Sequence, residues 1–127
     1  MCIRDRCFWL SQQTEVSLYH PDEKIKQEAL DYVSLMTPVV KSLFTDLAME
    51  ITNDEMQIHG GYGYTKDQGI KQLYRDNRIT PIYEGTNSVQ AADLVFRKLS
   101  NKNGDVINKF LDMIKSECDS KLSLIHI

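Results

Sequence analysis

Glu84 has the strongest local setting for chemistry in this chain. It follows Pro81-Ile82-Tyr83 and precedes Gly85-Thr86. Residues that precede a proline avoid the helical region, so Ile79 to Tyr83 is expected to be extended. A carboxylate held between Ile82, Tyr83 and a glycine would be partly desolvated, and desolvation makes it a stronger base. A solvated loop carboxylate, or one favoured by a helix dipole, fits the same residues. A second concentration lies upstream, in Gln57-Ile58-His59-Gly60-Gly61-Tyr62-Gly63-Tyr64. Glycines behind a helix expose backbone amides that an anion such as pyrophosphate can approach. This is not a dinucleotide fingerprint, because no strand precedes it and no helix starts directly after it. A plain helix C-cap and turn accounts for the glycines equally well.

These groups need elements to position them, and the apolar spacing is helical throughout. The stretch from Cys7 to His20 is mixed and ends in a turn-like Tyr19-His20-Pro21-Asp22. Ile25, Ala29, Leu30 and Val33 predict a helix over residues 22–35, starting at Pro21 or Asp22. Thr37 is a candidate N-cap, with Pro38 at the first position of a new helix. Val39, Val40, Leu43, Phe44, Leu47, Ala48 and Ile51 carry that helix to about Ile58, where Gly60-Gly61 can end it. A glycine-rich loop follows, then short helix over 69–77, helix again over 86–99, and a polar linker from Ser100 to Gly104. Asp105 can cap a final helix carrying Val106, Ile107, Phe110, Leu111 and Ile114. No β-alternation persists, so the expected class is all-α, an antiparallel helical bundle.

Composition narrows the function further. The 127 residues include 15 Lys+Arg and 18 Asp+Glu, a net charge of −3 without a basic stripe, so no nucleic-acid partner is expected. No apolar run approaches the ~20 residues of a membrane span. Cys7-Phe8-Trp9-Leu10 is too short for a signal-peptide apolar region. Cys2, Cys7 and Cys118 have neither disulfide-framework nor metal-ligand spacing, so no metal is expected.

The two ends read as one DNA word in opposite orientations. Met1-Cys2-Ile3-Arg4-Asp5-Arg6 can be encoded as ATG-TGT-ATA-AGA-GAC-AGA, and its reverse complement, read one base in, gives Leu-Ser-Leu-Ile-His and an Ile or Met codon. The chain ends in Leu122-Ser123-Leu124-Ile125-His126-Ile127. Both resemble the transposon end of sequencing-library adapters, so residues 1–6 and 122–127 are expected to be adapter-derived. Residues 7–121 are then an internal piece of a longer gene. Without Arg4, Arg6 and Asp5, 13 basic and 17 acidic residues remain, together with Cys7 and Cys118, which suit a reducing compartment.

Three blocks in order carry a family resemblance. They are Gln57-x-x-Gly60-Gly61-x-Gly63-Tyr64, Leu73-Tyr74-Arg75-Asp76-x-Arg78-Ile79, and Ile82-Tyr83-Glu84-Gly85-Thr86-x-x-x-Gln90. Together they resemble the C-terminal helical domain of the acyl-CoA dehydrogenases. Leu35-Met36-Thr37-Pro38-Val39-Val40-Lys41 and Asn87-x-Val89-Gln90-Ala91-x-Asp93-Leu94-Val95-x-Arg97-Lys98-Leu99 look like the subgroup with an additional C-terminal domain, which includes the 3-methylmercaptopropionyl-CoA dehydrogenase-like enzymes. On this resemblance residues 7–100 are part of the helical domain and 101–121 begin the extra one.

The resemblance implies an FAD enzyme that oxidises an acyl-CoA to the trans-2-enoyl-CoA. Glu84 matches the family's α-proton-abstracting base, and its backbone N–H would help polarise the thioester carbonyl. Some family branches carry a small residue here and place the base elsewhere; this chain carries the glutamate. Gly85 would lie along substrate, and Thr86, Asn87 and Ser88 would approach FAD. Gln57, Ile58, His59, Gly60 and Gly61 would meet FAD bound mainly by a neighbouring subunit, which makes a homo-oligomer part of the site. His59 stands where the family is often apolar and reads as a surface or interface side chain. Arg75 and Asp76 read as a structural ion pair, and Tyr62 and Tyr64 as packing residues. An electron-transfer flavoprotein is the implied acceptor, and the cytoplasm, or the mitochondrial matrix of a eukaryote, the implied compartment. The isolated chain is expected to hold no FAD and to be inactive, with Val39, Leu43, Leu47, Val95 and Phe96 open to self-association. The alternatives are a helical interaction module without chemistry and a fragment of an acyl-CoA oxidase.

Overall fold

A computed structural model describes residues 3–125; Met1, Cys2, His126 and Ile127, which belong to the two end hexapeptides, lie outside them. Among the described residues five α-helices follow in order: α1 (Ile3–Tyr19), α2 (Glu23–His59), α3 (Ile70–Asn77), α4 (Asn87–Asp93) and α5 (Asp105–Ile125). Among the described residues there is no strand. The 37-residue α2 is the spine, and each of the other four helices packs against it.

The stretch read as mixed is the helix α1. Trp9, Leu10, Gln13, Val16 and Ser17 are its half-buried positions, spaced three and four apart. The stripe is regular, but Gln13 and Ser17 break its apolar signal. The helix closes as His20 N–H bonds the Val16 carbonyl at 3.1 Å. Asp22 then caps α2, its carboxylate accepting from the Lys24 N–H at 2.8 Å.

The expected restart at Thr37-Pro38 does not occur, because α2 runs through both residues. An interior proline costs a helix roughly 3 kcal/mol, since the carbonyl four residues back loses its donor. Here Pro38 is itself buried, so its ring joins the packed face. Thr37 does not cap; its hydroxyl donates to the Val33 carbonyl at 2.6 Å, one turn back. Gly60 ends the helix as its spacing requires, at φ 57° with its N–H on the Gln57 carbonyl.

The segment from Ile79 to Tyr83 is also not extended. Thr80 N–H bonds the Asn77 carbonyl at 3.0 Å, and the N–H groups of Ile82 and Tyr83 bond the Ile79 carbonyl at 2.9 and 3.1 Å. The preference imposed by Pro81 on Thr80 loses to this run of turns, which the Thr80 hydroxyl reinforces at 2.8 Å from the Asn77 carbonyl. The helix expected over 86–99 is α-helical only to Asp93 and widens over Leu94–Lys98, where Leu99 N–H reaches the Leu94 carbonyl five residues back. Lys102, Asn103 and Gly104 all adopt positive φ and turn the chain into α5. Asp105 is the first residue of α5 rather than its cap, where the helix dipole favours its charge.

Among the described residues the buried hydrophobic side chains are Ala29, Leu35, Ile70 and Val106, each 2–4% exposed. Trp9 of α1, Tyr32 of α2 and Phe110 of α5 close the bundle with ring centroids 5.8–6.1 Å apart. Lys102 pairs with Asp31 beside them. Of the five side chains expected to be open, Val39, Leu43 and Leu47 are half-buried between helices, whereas Val95 and Phe96 are exposed.

Candidate functional site

The turn that presents Glu84 is built from left-handed backbone. Glu84 has φ 53° and Gly85 φ 82°, which reverses the chain between the turns at 79–83 and the start of α4. The left-handed conformation costs a residue with a Cβ about 1–2 kcal/mol, so the surroundings must hold Glu84 there. Gly85 is favoured twice over: its φ suits glycine, and a Cβ would crowd Gln90 Nε2 at 3.2 Å. Thr86 caps α4, its hydroxyl oxygen accepting from the Val89 N–H at 3.3 Å.

Two side chains take hold of successive carbonyls in this turn. Gln90 Nε2 donates to the Glu84 carbonyl at 2.9 Å, and Lys41 Nζ donates to the Gly85 carbonyl at 2.8 Å. The Asn87 N–H closes the base of the turn on the Pro81 carbonyl at 3.2 Å. Lys41 also donates to Asn87 Oδ1 at 2.8 Å, while Asn87 Nδ2 donates to Asp46 Oδ1 at 2.7 Å and to Thr45 Oγ1 at 2.9 Å. A lysine can only donate and a carboxylate can only accept, which fixes the orientation of the Asn87 amide between them. Thr45 is fastened in turn by donating to the Lys41 carbonyl at 2.8 Å. The network, half-buried at Lys41, Thr45 and Asn87 and exposed at Asp46, therefore joins α2 to both sides of the Thr86 cap.

The Glu84 side chain itself is exposed, so the partly desolvated carboxylate expected from Ile82 and Tyr83 is not found within this chain. Both of those side chains are about half exposed, because the run of turns does not fold them over the carboxylate. Gly85 is half-buried, and the side chains of Thr86 and Ser88 are exposed around the start of α4. Asn87 turns its amide to α2, which leaves Thr86 and Ser88 to face outward.

Gln57, Ile58 and His59 form the far end of α2, Gly60 and Gly61 follow in a short 3-10 turn, and all five are exposed. Gln57, the first of them, lies sixteen residues beyond Lys41, or roughly 24 Å along the helix at its 1.5 Å rise, so the fold does not bring the group to Glu84. A Cβ at Gly60 or Gly61 would meet nothing within 4 Å. That open backbone leaves room for a large group such as a flavin adenine dinucleotide. Gly63 is different: a Cβ there would fall 2.8 Å from the His59 Cβ, so it serves packing. His59 Nδ1 lies 2.9 Å from its own helix carbonyl at Glu55. Tyr62 and Tyr64 are mostly exposed rather than packed, and Lys71 sits over the Tyr64 ring at 5.1 Å. Asp76 accepts from Gln72 Nε2 at 2.6 Å instead of pairing with Arg75, because helical neighbours in sequence point apart while residues four apart meet.

Lys41, Thr45, Asp46 and Gln90 are not among the predicted site residues, although Lys41 and Gln90 fall within blocks that carry the family resemblance. The available signal was Lys41 and Thr45 at helical spacing of four inside a stripe otherwise filled by Val39, Val40, Leu43 and Phe44. Among the described residues no group of three or more His, Cys, Asp or Glu could hold a metal, and no helix is long and apolar enough to cross a membrane.

Known proteins resemble this chain over most of its length. Residues 13–99 match the family model of the acyl-CoA dehydrogenase C-terminal domain, a span that includes every residue of the Glu84 turn and its anchor. The chain belongs to the acyl-CoA dehydrogenase family. This acyl-CoA dehydrogenase domain is 41% identical over 95 residues to the 3-methylmercaptopropionyl-CoA dehydrogenase of Ruegeria pomeroyi, covering 75% of this chain and 16% of that protein. It is 33% identical over 89 residues to the butyryl-CoA dehydrogenase of Syntrophomonas wolfei, covering 70% and 15%. A shorter match, 54% over 52 residues, joins it to the 3-(aryl)acrylate reductase of Clostridium sporogenes, covering 41% and 14%. The chain thus spans about a sixth of the length of the curated relatives it matches. The all-α fold is that of the family's C-terminal domain, and α5 lies beyond the matched span.

Proposed function

We propose that this chain is the C-terminal helical part of an FAD-dependent acyl-CoA dehydrogenase, in which Glu84 removes the α-proton of an acyl-CoA thioester. The observation that carries the reading is the Glu84-Gly85 turn. A non-glycine residue is held at positive φ, with its own carbonyl and the next one each clamped by a side chain, and its carboxylate faces outward from the domain. A base that must reach a substrate bound by other parts of the enzyme needs that combination of fixed backbone and free side chain.

The residues divide the work as follows. Glu84 takes the α-proton on a carboxylate oxygen, and its N–H helps polarise the thioester carbonyl. Gly85 lies along the bound substrate, where a side chain would obstruct it. Thr86 and Ser88 face the flavin with their hydroxyls, and Asn87 does so through its backbone. Gln57, Ile58, His59, Gly60 and Gly61 lie against the flavin of a second subunit, which accounts for their distance from Glu84. When bound, FAD supplies the two-electron acceptor that the reaction needs. An electron-transfer flavoprotein in the cytoplasm, or in the mitochondrial matrix of a eukaryote, reoxidises the enzyme.

In this reading residues 7–100 belong to the helical domain and residues 101–121 open an additional helical domain. Residues 1–6 and 122–127 derive from an adapter. The isolated chain then binds no FAD and turns over no acyl-CoA.

The test is Glu84→Gln in the full-length flavoenzyme that carries this domain. Acyl-CoA-dependent flavin reduction is expected to fall on the order of 10²–10⁴-fold with FAD content preserved. Reduction at the parental rate would remove Glu84 from the chemistry.

A further inference from the structure

The geometry points to Lys41 as a positioning residue for the base, acting from the middle of α2 through the Gly85 carbonyl. The inference rests on the proposed role of Glu84, and it goes beyond that role by naming what holds the base in place.

Three observations support it. Glu84 and Gly85 occupy backbone that relaxes unless held, and their carbonyls are the handles by which it is held. Gln90 grips the first handle from within α4, so it moves with the turn. Lys41 grips the second from α2, across 44 residues of chain, and so bonds a carbonyl of the turn itself, whereas the other bonds from α2, through Thr45 and Asp46, reach the Asn87 side chain at the start of α4. The lysine is also well chosen for the task. Its ammonium, half-buried, divides its donors between the Gly85 carbonyl and Asn87 Oδ1, which lie on either side of the Thr86 cap. Asp46 receives the other end of the Asn87 amide, so a carboxylate answers the ammonium through one intervening side chain. A charged donor makes a stronger bond to a carbonyl than a neutral one. Loss of that bond frees the Glu84-Gly85 peptide to leave the left-handed region, and the carboxylate moves with it.

The experiment compares Lys41→Met and Lys41→Arg in the full-length flavoenzyme. In Lys41→Met, FAD content and KM are expected to stay within about twofold of the parent. Flavin reduction by acyl-CoA is expected to fall on the order of 10²-fold, the scale of a misplacement of about 1 Å. Substrate deuterated at the α-carbon should show a larger isotope effect than in the parent, because proton removal becomes more limiting. Lys41→Arg keeps a charged donor and should recover part of the rate. Hydrogen–deuterium exchange supplies a readout independent of turnover: the peptide over 82–90 should exchange faster in Lys41→Met and return toward the parent in Lys41→Arg. An unchanged reduction rate with unchanged exchange overturns the inference. Loss of FAD or of assembly in both variants also overturns it, by assigning Lys41 to general folding. Glu84→Gln measured in parallel separates the two claims. If it reduces flavin at the parental rate, the base assignment fails and the positioning role with it, whatever the exchange shows. If it is inactive while Lys41→Met is unaffected, only the positioning role fails.

Discussion

The Trp9 and Phe110 rings stand 5.8 Å apart at their centroids and tilt by 57°, joining the first helix of the chain to the last. Tyr32 lies within 6.1 Å of both, so the contact is a three-ring cluster mounted on α2. Trp9 is the single tryptophan of the chain and reports on this cluster alone. Phe110→Ala is expected to shift its emission to longer wavelength and to lower stability by about 1–3 kcal/mol, less than for a fully buried phenylalanine. Emission unchanged in the folded variant would mean that α5 does not dock on α1.

The same cluster makes the stability of the bundle pH-dependent in alkaline solution. Burial raises the Tyr32 phenol above its ordinary 10.0, and Glu28 adds to the shift by its charge and by accepting the hydroxyl, with a smaller contribution from Asp31. The folded state thus holds this proton more tightly than the unfolded chain. Its contribution to stability is complete below about pH 10 and is lost as pH rises through the raised folded value. Denaturation of the parent and of Tyr32→Phe should therefore differ by a constant amount from pH 7 to pH 9 and by a changing amount above pH 10. A difference that stays level to pH 11 would refute the linkage.

Glycines that serve packing can be told from those that leave room. Gly63→Ala places a Cβ 2.8 Å from the His59 Cβ and 3.1 Å from the Met56 carbonyl, and is expected to cost about 1–3 kcal/mol. Gly61→Ala meets nothing within 4 Å and should change stability by no more than about 0.5 kcal/mol. Urea midpoints of the two variants decide the matter, and equal midpoints would contradict the distinction.

Much of the helical plan is visible in the sequence because α2, α3 and α5 each bury an apolar stripe. Gly60, Asp22 and Thr86 mark helix ends by the conformations and side-chain bonds they supply. What misleads is local. Pro38 reads as a start, yet a buried ring in a long helix packed on both sides of it is tolerated. Pro81 reads as a sign of extended chain, yet hydrogen bonds to Asn77 and Ile79 gather the segment into turns. The stripe of α1 is hidden by Gln13 and Ser17, whose polarity the pattern counts against a helix although their positions suit one. Glu84 stands out by its neighbours, whereas its anchor does not. Lys41 and Asn87 are 46 residues apart, and only the folded chain shows that one side chain answers the other.

The continuity of α2 has a consequence for how this domain can vary. One uninterrupted helix carries the anchor of the Glu84 turn near its middle and the exposed glycine run at its end, so the helix acts as a ruler and a goniometer between them. Substitutions between Thr45 and Gln57 leave that spacing intact. A single inserted or deleted residue there would swing Gly60 and Gly61 about 100° around the axis and move them about 1.5 Å along it. Length, more than identity, is the property this stretch of chain must keep.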